Sequence, residues 1–231
     1  MTWPTEPAEL ISLQQQLAGA HPTPWTPPDR FLIGGVWACF PRGLAGPGSA
    51  GDRAWAAALV LDHHRVVTQE LVTGRVAGPY LPGLLAIRLG PLWEDVVRRL
   101  RPSPAVLLVD ATGRDHPQRA GLALHLGAVL DLPTVGVTHR PLIASGDWPA
   151  DERGATAPLT IGTDQVAAWL RTRQGTRPVV VHPGWRTDLA TAIRIVSGSL
   201  DGHRTPQPLR AARRAARRAR GSEHLQAVHL A

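Results

Sequence analysis

The chain reads as a single α/β domain built on a mixed sheet flanked by helices. Three observations lead there. Three strand-like segments with hairpin-length links come first. Apolar strands then alternate with helix-spaced segments. The 231 residues, 43% of them hydrophobic, are enough for one sizeable core.

Ala8 to Leu17 has helical spacing, and a connector follows; residues 4–30 hold six of the 22 prolines. Phe31 to Phe40 is an apolar strand, and Gly43 to Gly51 a Gly/Pro/Ser turn. Trp55 to Leu61 and Arg65 to Leu71 are two more strands, joined through Asp62-His63-His64. Pro79-Tyr80-Leu81-Pro82-Gly83 is a stiff turn, and Leu84 to Leu100 is spaced as a helix. Ala105 to Val109 is a wholly apolar strand ending at Asp110. Ala120 to Leu130 is a helix, and Thr134 to Val137 a short buried strand. Gln165 to Arg171 and Val179 to His182 are further strands, and Asp188 to Ser199 is a helix with Asp188 as N-cap. The expected organisation is an N-terminal helix and connector (1–30), the α/β domain (31–210) and an Arg-rich C-terminal helix or tail (211–231).

The net charge is +7, and all 25 basic residues are arginine, with no lysine and no asparagine in the chain. The paired absence points to a GC-rich coding sequence. A guanidinium binds phosphate bidentately but is too basic to be a catalytic base. A basic excess calls for an acidic partner, most simply DNA or RNA. No apolar run approaches the ~20 residues that span a bilayer. Met1 to Gln16 carries Glu6 and Glu9 and no basic residue, unlike a secretory signal. A cytoplasmic monomer is the expectation. The one cysteine, Cys39, excludes an internal disulfide and sits in an apolar run as a small buried hydrophobe.

Near the C-terminus, Arg210, Arg213, Arg214, Arg217 and Arg218 recur at helical spacing, with alanines between them. No acidic residue lies between Asp201 and Glu223, so the stripe has no local ion-pair partners and suits phosphate contacts. A solvated tail is the bland alternative.

Six motifs in order carry a resemblance. They are Pro79-Tyr80-Leu81-Pro82-Gly83-Leu84-Leu85-Ala86-Ile87-Arg88; Asp110-Ala111-Thr112-Gly113; His116-Pro117-Gln118-Arg119-Ala120-Gly121 with His125-Leu126-Gly127; Pro133-Thr134-Val135-Gly136-Val137; Pro183-Gly184; and Arg204-Thr205-Pro206-Gln207-Pro208-Leu209-Arg210. Together they resemble the endonuclease V family over about Phe31 to Arg210. The resemblance implies an RNase H-like fold, recognition of deaminated bases, chiefly hypoxanthine in DNA or RNA, and hydrolysis of a nearby phosphodiester with Mg²⁺ or Mn²⁺.

Such hydrolysis needs clustered carboxylates around a hard cation. By the resemblance, Asp110 and His116 are retained site residues, and Asp110 is the metal ligand, with Asp188 a further candidate. Trp37, Leu89, His139 and Trp185 stand at family catalytic positions with other side chains. Indole and isobutyl groups offer no oxygen to a metal. Asp62, Glu94, Asp95 and Asp115 are the acids that could substitute. Asp110 also fits a plain turn cap, and His116-Pro117 a helix start. Trp37 and Trp185 are expected to fill one vacated cavity together.

The same resemblance assigns nucleic-acid contacts. Pro79 to Gly83, with the chain's only tyrosine, would wedge between strands. Leu85, Gly113, Leu122, Gly136 and Leu142 would surround the base. The reading is therefore an impaired relative that still binds nucleic acid. The alternatives are an active endonuclease with a site rebuilt around Asp110, and an interaction module that keeps only the fold.

Overall fold

A computed structural model describes residues 3–44 and 46–229 of the chain. Along it run α1 (Pro7–Ala18), β1 (Ile33–Cys39), β2 (Arg53–Asp62), β3 (Arg65–Arg75), α2 (Leu85–Arg98), β4 (Val106–Val109), α3 (Leu122–Leu130), β5 (Thr134–Thr138), β6 (Thr156–Ile161), β7 (Asp164–Leu170), β8 (Val179–Pro183), α4 (Leu189–Gly198) and α5 (Gln207–His229). The strands form one sheet in the order β3-β2-β1-β4-β5-β8-β7-β6. The central strands β1, β4 and β5 are parallel. The flanking pairs are antiparallel. Parallel strands sit where both faces are covered, and β4, all Val and Leu, is buried throughout.

Alternation on the strands divides the core in two. Val36, Leu107 and Val109 pack toward α2 and α3 with Leu89, Trp93 and Leu126. Val106, Leu108 and Val135 pack on the opposite face against α4 and the start of α5, through Ile195 and Leu209. The α5 alanines Ala211, Ala212, Ala215 and Ala216 lie on Trp55, Ala57, Leu59 and Leu61 of β2. Such small side chains let helix and sheet approach closely. At Gly35 on β1 a Cβ would sit 2.6 Å from the Pro208 carbonyl, so only glycine admits the start of α5 there.

The structure adds three points to the sequence reading. The strand β6 was not foreseen; its sequence is short and contains Pro158, which is tolerated because β6 is an edge strand. The Arg-rich helix begins at Gln207 and lies on the sheet; residues 230 and 231 of the expected tail lie outside the described residues. The N-terminal helix stands where the spacing predicts it, and its contacts are the addition. Trp3 packs on Gly90 and stacks on His125 with ring centroids 4.3 Å apart, and Leu17 of α1 packs against Leu124 of α3.

Candidate nucleic-acid site

A cavity of about 330 Å³ opens where the C-terminal ends of β4 and β5 meet the start of α2. Ligands of open α/β sheets bind at such strand ends. Tyr80, Gly83 and Leu85 form one wall, Asp110 to Thr112 and His116 the floor, and Leu122 with Arg140 to Leu142 the far side. The volume is at the lower end of small-ligand pockets, which run from about 300 to 1,000 Å³.

The walls are cross-tied. Gly83, at φ +80°, turns the chain from the Pro-fixed segment into α2. Its carbonyl accepts from His116 Nε2–H at 2.9 Å and from Gln14 Nε2 of α1 at 3.0 Å. His116 Nδ1 accepts the Gln118 backbone N–H at 3.1 Å, which leaves the ring proton on Nε2. Burial lowers the His116 pKa, opposed by the Gly83 carbonyl and the Asp115 charge, so the ring is neutral at pH 7. On the far side the Asp115 carboxylate accepts three backbone N–H groups, from Leu142 at 2.7 Å, Ile143 at 2.9 Å and Ala144 at 2.8 Å. Those bonds hold Leu142 against the cavity. Gln14 has no mark in the sequence, and Asp115, a candidate substitute acid there, instead braces this loop. Their partners lie 69 and about 28 residues away, and no local pattern signals such pairings.

Tyr80 stands at the rim, 47% exposed, with its N–H donated to the Pro47 carbonyl at 2.7 Å. Leu81 beside it is also exposed, and neither Pro79, Leu81 nor Pro82 lines the cavity. Gly113 and Gly136 lie behind the wall. A Cβ on Gly136 would meet the Ala111 carbonyl at 2.3 Å, and one on Gly113 the Pro183 carbonyl at 2.2 Å. These two glycines shape the pocket from beneath rather than lining it.

Asp110 is shared between this cavity and a narrow cleft lined by Trp37, His139, Thr205, Leu209 and Arg213. The cleft has room for about one water, roughly 20 Å³. Trp37 follows Val36, which pairs with Val109, so adjacent parallel strands bring Trp37 and Asp110 side by side. Trp37 Nε1 donates to Asp110 Oδ2 at 2.7 Å. Burial raises the Asp110 pKa, and the Trp37 N–H and the Arg213 charge pull it back down. His139 is held below its usual pKa by burial and by the charges of Arg204 and Arg213.

The remaining predicted site residues lie elsewhere. Leu89 is buried in the core beneath α2 and lines neither space. Trp185 does not share a cavity with Trp37, contrary to expectation. Its ring packs against Leu17, Ala120 and Leu124, and its Nε1 donates to Asp131 at 3.4 Å. The reason is the turn after β8. Gly184 lies against Thr134, and the Trp185 N–H is donated to Thr134 Oγ1 at 2.8 Å, which aims the ring toward α3. Asp188 caps α4, accepting the Thr191 N–H at 2.6 Å, which is the cap the sequence predicts, and it lines neither space.

The substitute acids are engaged too. Asp62 pairs with Arg30, Asp95 with Arg99, Glu94 with Arg98 and Trp3, and Asp115 with the loop amides. Among the described residues no group of three or more His, Cys, Asp or Glu could hold a metal ion.

The arginine stripe is not one uniform free face. Arg210 is ion-paired with Asp201. Arg213 and Arg217 flank Trp37, their guanidinium carbons 5.7 and 5.4 Å from the ring centre. Arg214 and Arg218 point outward and are exposed. The alanine face settles this: burying it against β2 turns the stripe partly toward the cleft and partly toward solvent. Among the described residues no helix is long and apolar enough to cross a membrane.

The sequence profile of Endonuclease V matches residues 32–214. The chain belongs to the endonuclease V family. Endonuclease V of Roseiflexus sp. (strain RS-1) is 36% identical over 212 residues, covering 91% of each chain. The crystal structure of endonuclease V from Streptomyces avermitilis superposes with a TM-score of 0.86 at 35% identity, over 96% of each chain. A Ciona intestinalis endonuclease V, in complex with a 23mer DNA containing an inosine followed by a ribo-adenosine, gives a TM-score of 0.78. At 20% identity, over 93% of this chain and 97% of that one, the Ciona protein speaks to the fold alone. The likenesses identify the mixed sheet as RNase H-like and place the chain among endonuclease V nucleases. A divalent cation would need several hard oxygen donors around Asp110. Around it in the cleft stand an indole N–H, a guanidinium, an imidazole and the Thr205 hydroxyl, with no second carboxylate, and this set does not fit such an ion.

Proposed function

We propose that this endonuclease V family member binds a nucleic-acid strand carrying a deaminated base, with hypoxanthine as the reference case, and does not cleave it. One observation carries the reading: Trp37 Nε1 donates to Asp110 Oδ2 at 2.7 Å, placing a donor on the one carboxylate of the site, with no second acid beside it among the described residues. Removing carboxylates from a metal-dependent phosphodiesterase removes both the cation and the activated water. The binding side is built differently. The cavity walls are tied by Gly83, His116 and Asp115, and an exposed Tyr80 on a Pro-fixed loop suits stacking on an unpaired base.

An end-labelled DNA strand with one inosine, incubated with Mg²⁺ or Mn²⁺, tests both halves. The expected result is a gel shift without cleavage, stronger than for an inosine-free strand. Cleavage near inosine that disappears in Asp110→Ala would mean that the chain is an active endonuclease and that the reading is wrong.

A further inference from the structure

The Trp37–Asp110 cleft has lost the donors for a cation, yet a positive charge stands beside it. Arg213 lines the cleft together with Asp110, His139 and Thr205. Its position is set by packing: burial of Ala212 and Ala216 on the sheet places Arg213 and Arg217, one helical turn apart, along Trp37. Among the described residues neither guanidinium has an acidic partner, and Arg213 Nε is buried with no hydrogen-bond partner. Arg140 adds a third guanidinium at the edge of the larger cavity. The Asp110 carboxylate, already held by an indole N–H, thus shares the cleft with Arg213, with Arg217 against Trp37 and Arg140 on the larger cavity.

A carboxylate cluster repels a phosphodiester until a bound cation bridges the two. A guanidinium fixed to the helix needs no bridge, and its planar fork matches two phosphate oxygens. Asp110 forms part of both spaces, so a phosphate over Arg213 would lie next to a base seated in the 330 Å³ cavity.

We infer that the Arg213 guanidinium, backed by Trp37 and flanked by Arg217, is a phosphodiester-binding subsite that replaces the metal ion, so that nucleic-acid binding is independent of divalent cations. The inference rests on the binding function proposed above and adds the cation that makes it work. It gives Arg213 a duty distinct from that of Arg214, the next residue along the same helix, which points to solvent.

The test is fluorescence anisotropy of the full chain with a labelled single-stranded DNA holding one inosine, in EDTA and in Mg²⁺. The wild-type chain is expected to bind equally well in both. Arg213→Gln should weaken binding by about tenfold or more, the range for a charged hydrogen bond, and lower the salt slope by about one. Arg213→Lys should recover part of the affinity, since it keeps the charge and loses the fork. Arg214→Gln, the same loss of charge one position away, should cost clearly less. Melting temperatures of the three variants show whether each is folded, and the lysine variant keeps the comparison available if the glutamine variant is not.

Binding that collapses in EDTA would overturn the inference and leave the proposed function standing. Equal losses in Arg213→Gln and Arg214→Gln would mean that only overall charge matters, which also overturns it. No binding in either buffer would overturn both.

Discussion

Replacing Trp37 with phenylalanine keeps a ring in the cleft and removes only the indole N–H and part of the ring face. The N–H now serves a carboxylate oxygen at 2.7 Å on a half-buried Asp110. Leaving a buried acceptor without its donor costs about 1–3 kcal/mol. The two guanidinium contacts on the ring, at 5.4 and 5.7 Å, weaken over the smaller phenyl face, and each is worth about 0.5–1 kcal/mol. Where Asp110 is ionised, the expected loss of folding stability is therefore about 2–4 kcal/mol, read by urea unfolding.

The loss should depend on pH. The Trp37 N–H favours the ionised form of Asp110, so removing it raises the folded-state pKa above the wild-type value, which burial has already raised. Below both folded pKa values the carboxyl is protonated in either protein, and only the packing part of the loss remains. As pH rises through the wild-type value and then the variant's, the folded wild type ionises more cheaply, and the difference grows to a plateau above both. In a double-mutant cycle with Asp110→Asn, the two changes should couple by at least about 1 kcal/mol. Additive effects and a flat pH response would refute the bond as the occupant of the metal position.

Four further outcomes follow from the same geometry. Tyr80→Ala should reduce affinity for an inosine-containing single strand by about 1–3 kcal/mol in anisotropy titrations, with the melting temperature almost unchanged because the ring is half exposed. Asp115→Asn should destabilise the chain by about 1–3 kcal/mol, because an amide keeps one oxygen for Ile143 and Ala144 and leaves the Leu142 N–H without its acceptor; chemical denaturation and hydrogen exchange at Leu142 to Ala144 would show it. Gly136→Ala should cost several kcal/mol and shrink the pocket, since the new methyl would meet a backbone carbonyl at 2.3 Å; a melting curve together with strand affinity checks both effects. His125 and His182 are pushed down by burial to about 4, so stability is full above their ordinary value near 6.5 and declines as pH falls toward 4. His125 has no partner at either nitrogen, so His125→Leu should flatten that acid limb in pH-dependent unfolding.

Much of the fold was legible because periodicity and turn chemistry act locally. Val106 to Val109 could be little other than a buried strand, and Asp188 before an apolar helix announced a cap. The edge strand β6 was missed because Pro158 argues against a strand unless its position in the sheet is known. In the site, motif order led to Gly83, Leu85, Leu122 and Leu142, which do line one cavity. Trp185 was misplaced because a motif carries spacing and not side-chain direction, and the Thr134 contact turns the ring away. Arg213 was visible only as one of five similar arginines. What singles it out is the alanine face buried on β2, a tertiary fact with no local trace.

The bracing around Gly83 has a consequence for how such a protein can change over time. The ties that shape the cavity run through His116, Gln14 and Asp115. The positions where family catalytic side chains have been exchanged, Trp37 and Leu89, take no part in them. Asp110 lines both spaces, and His116 is at once a tie and a retained family position. On the proposed reading, a lineage can therefore discard strand scission one side chain at a time without dismantling the walls of the cavity, and selection can act on recognition alone.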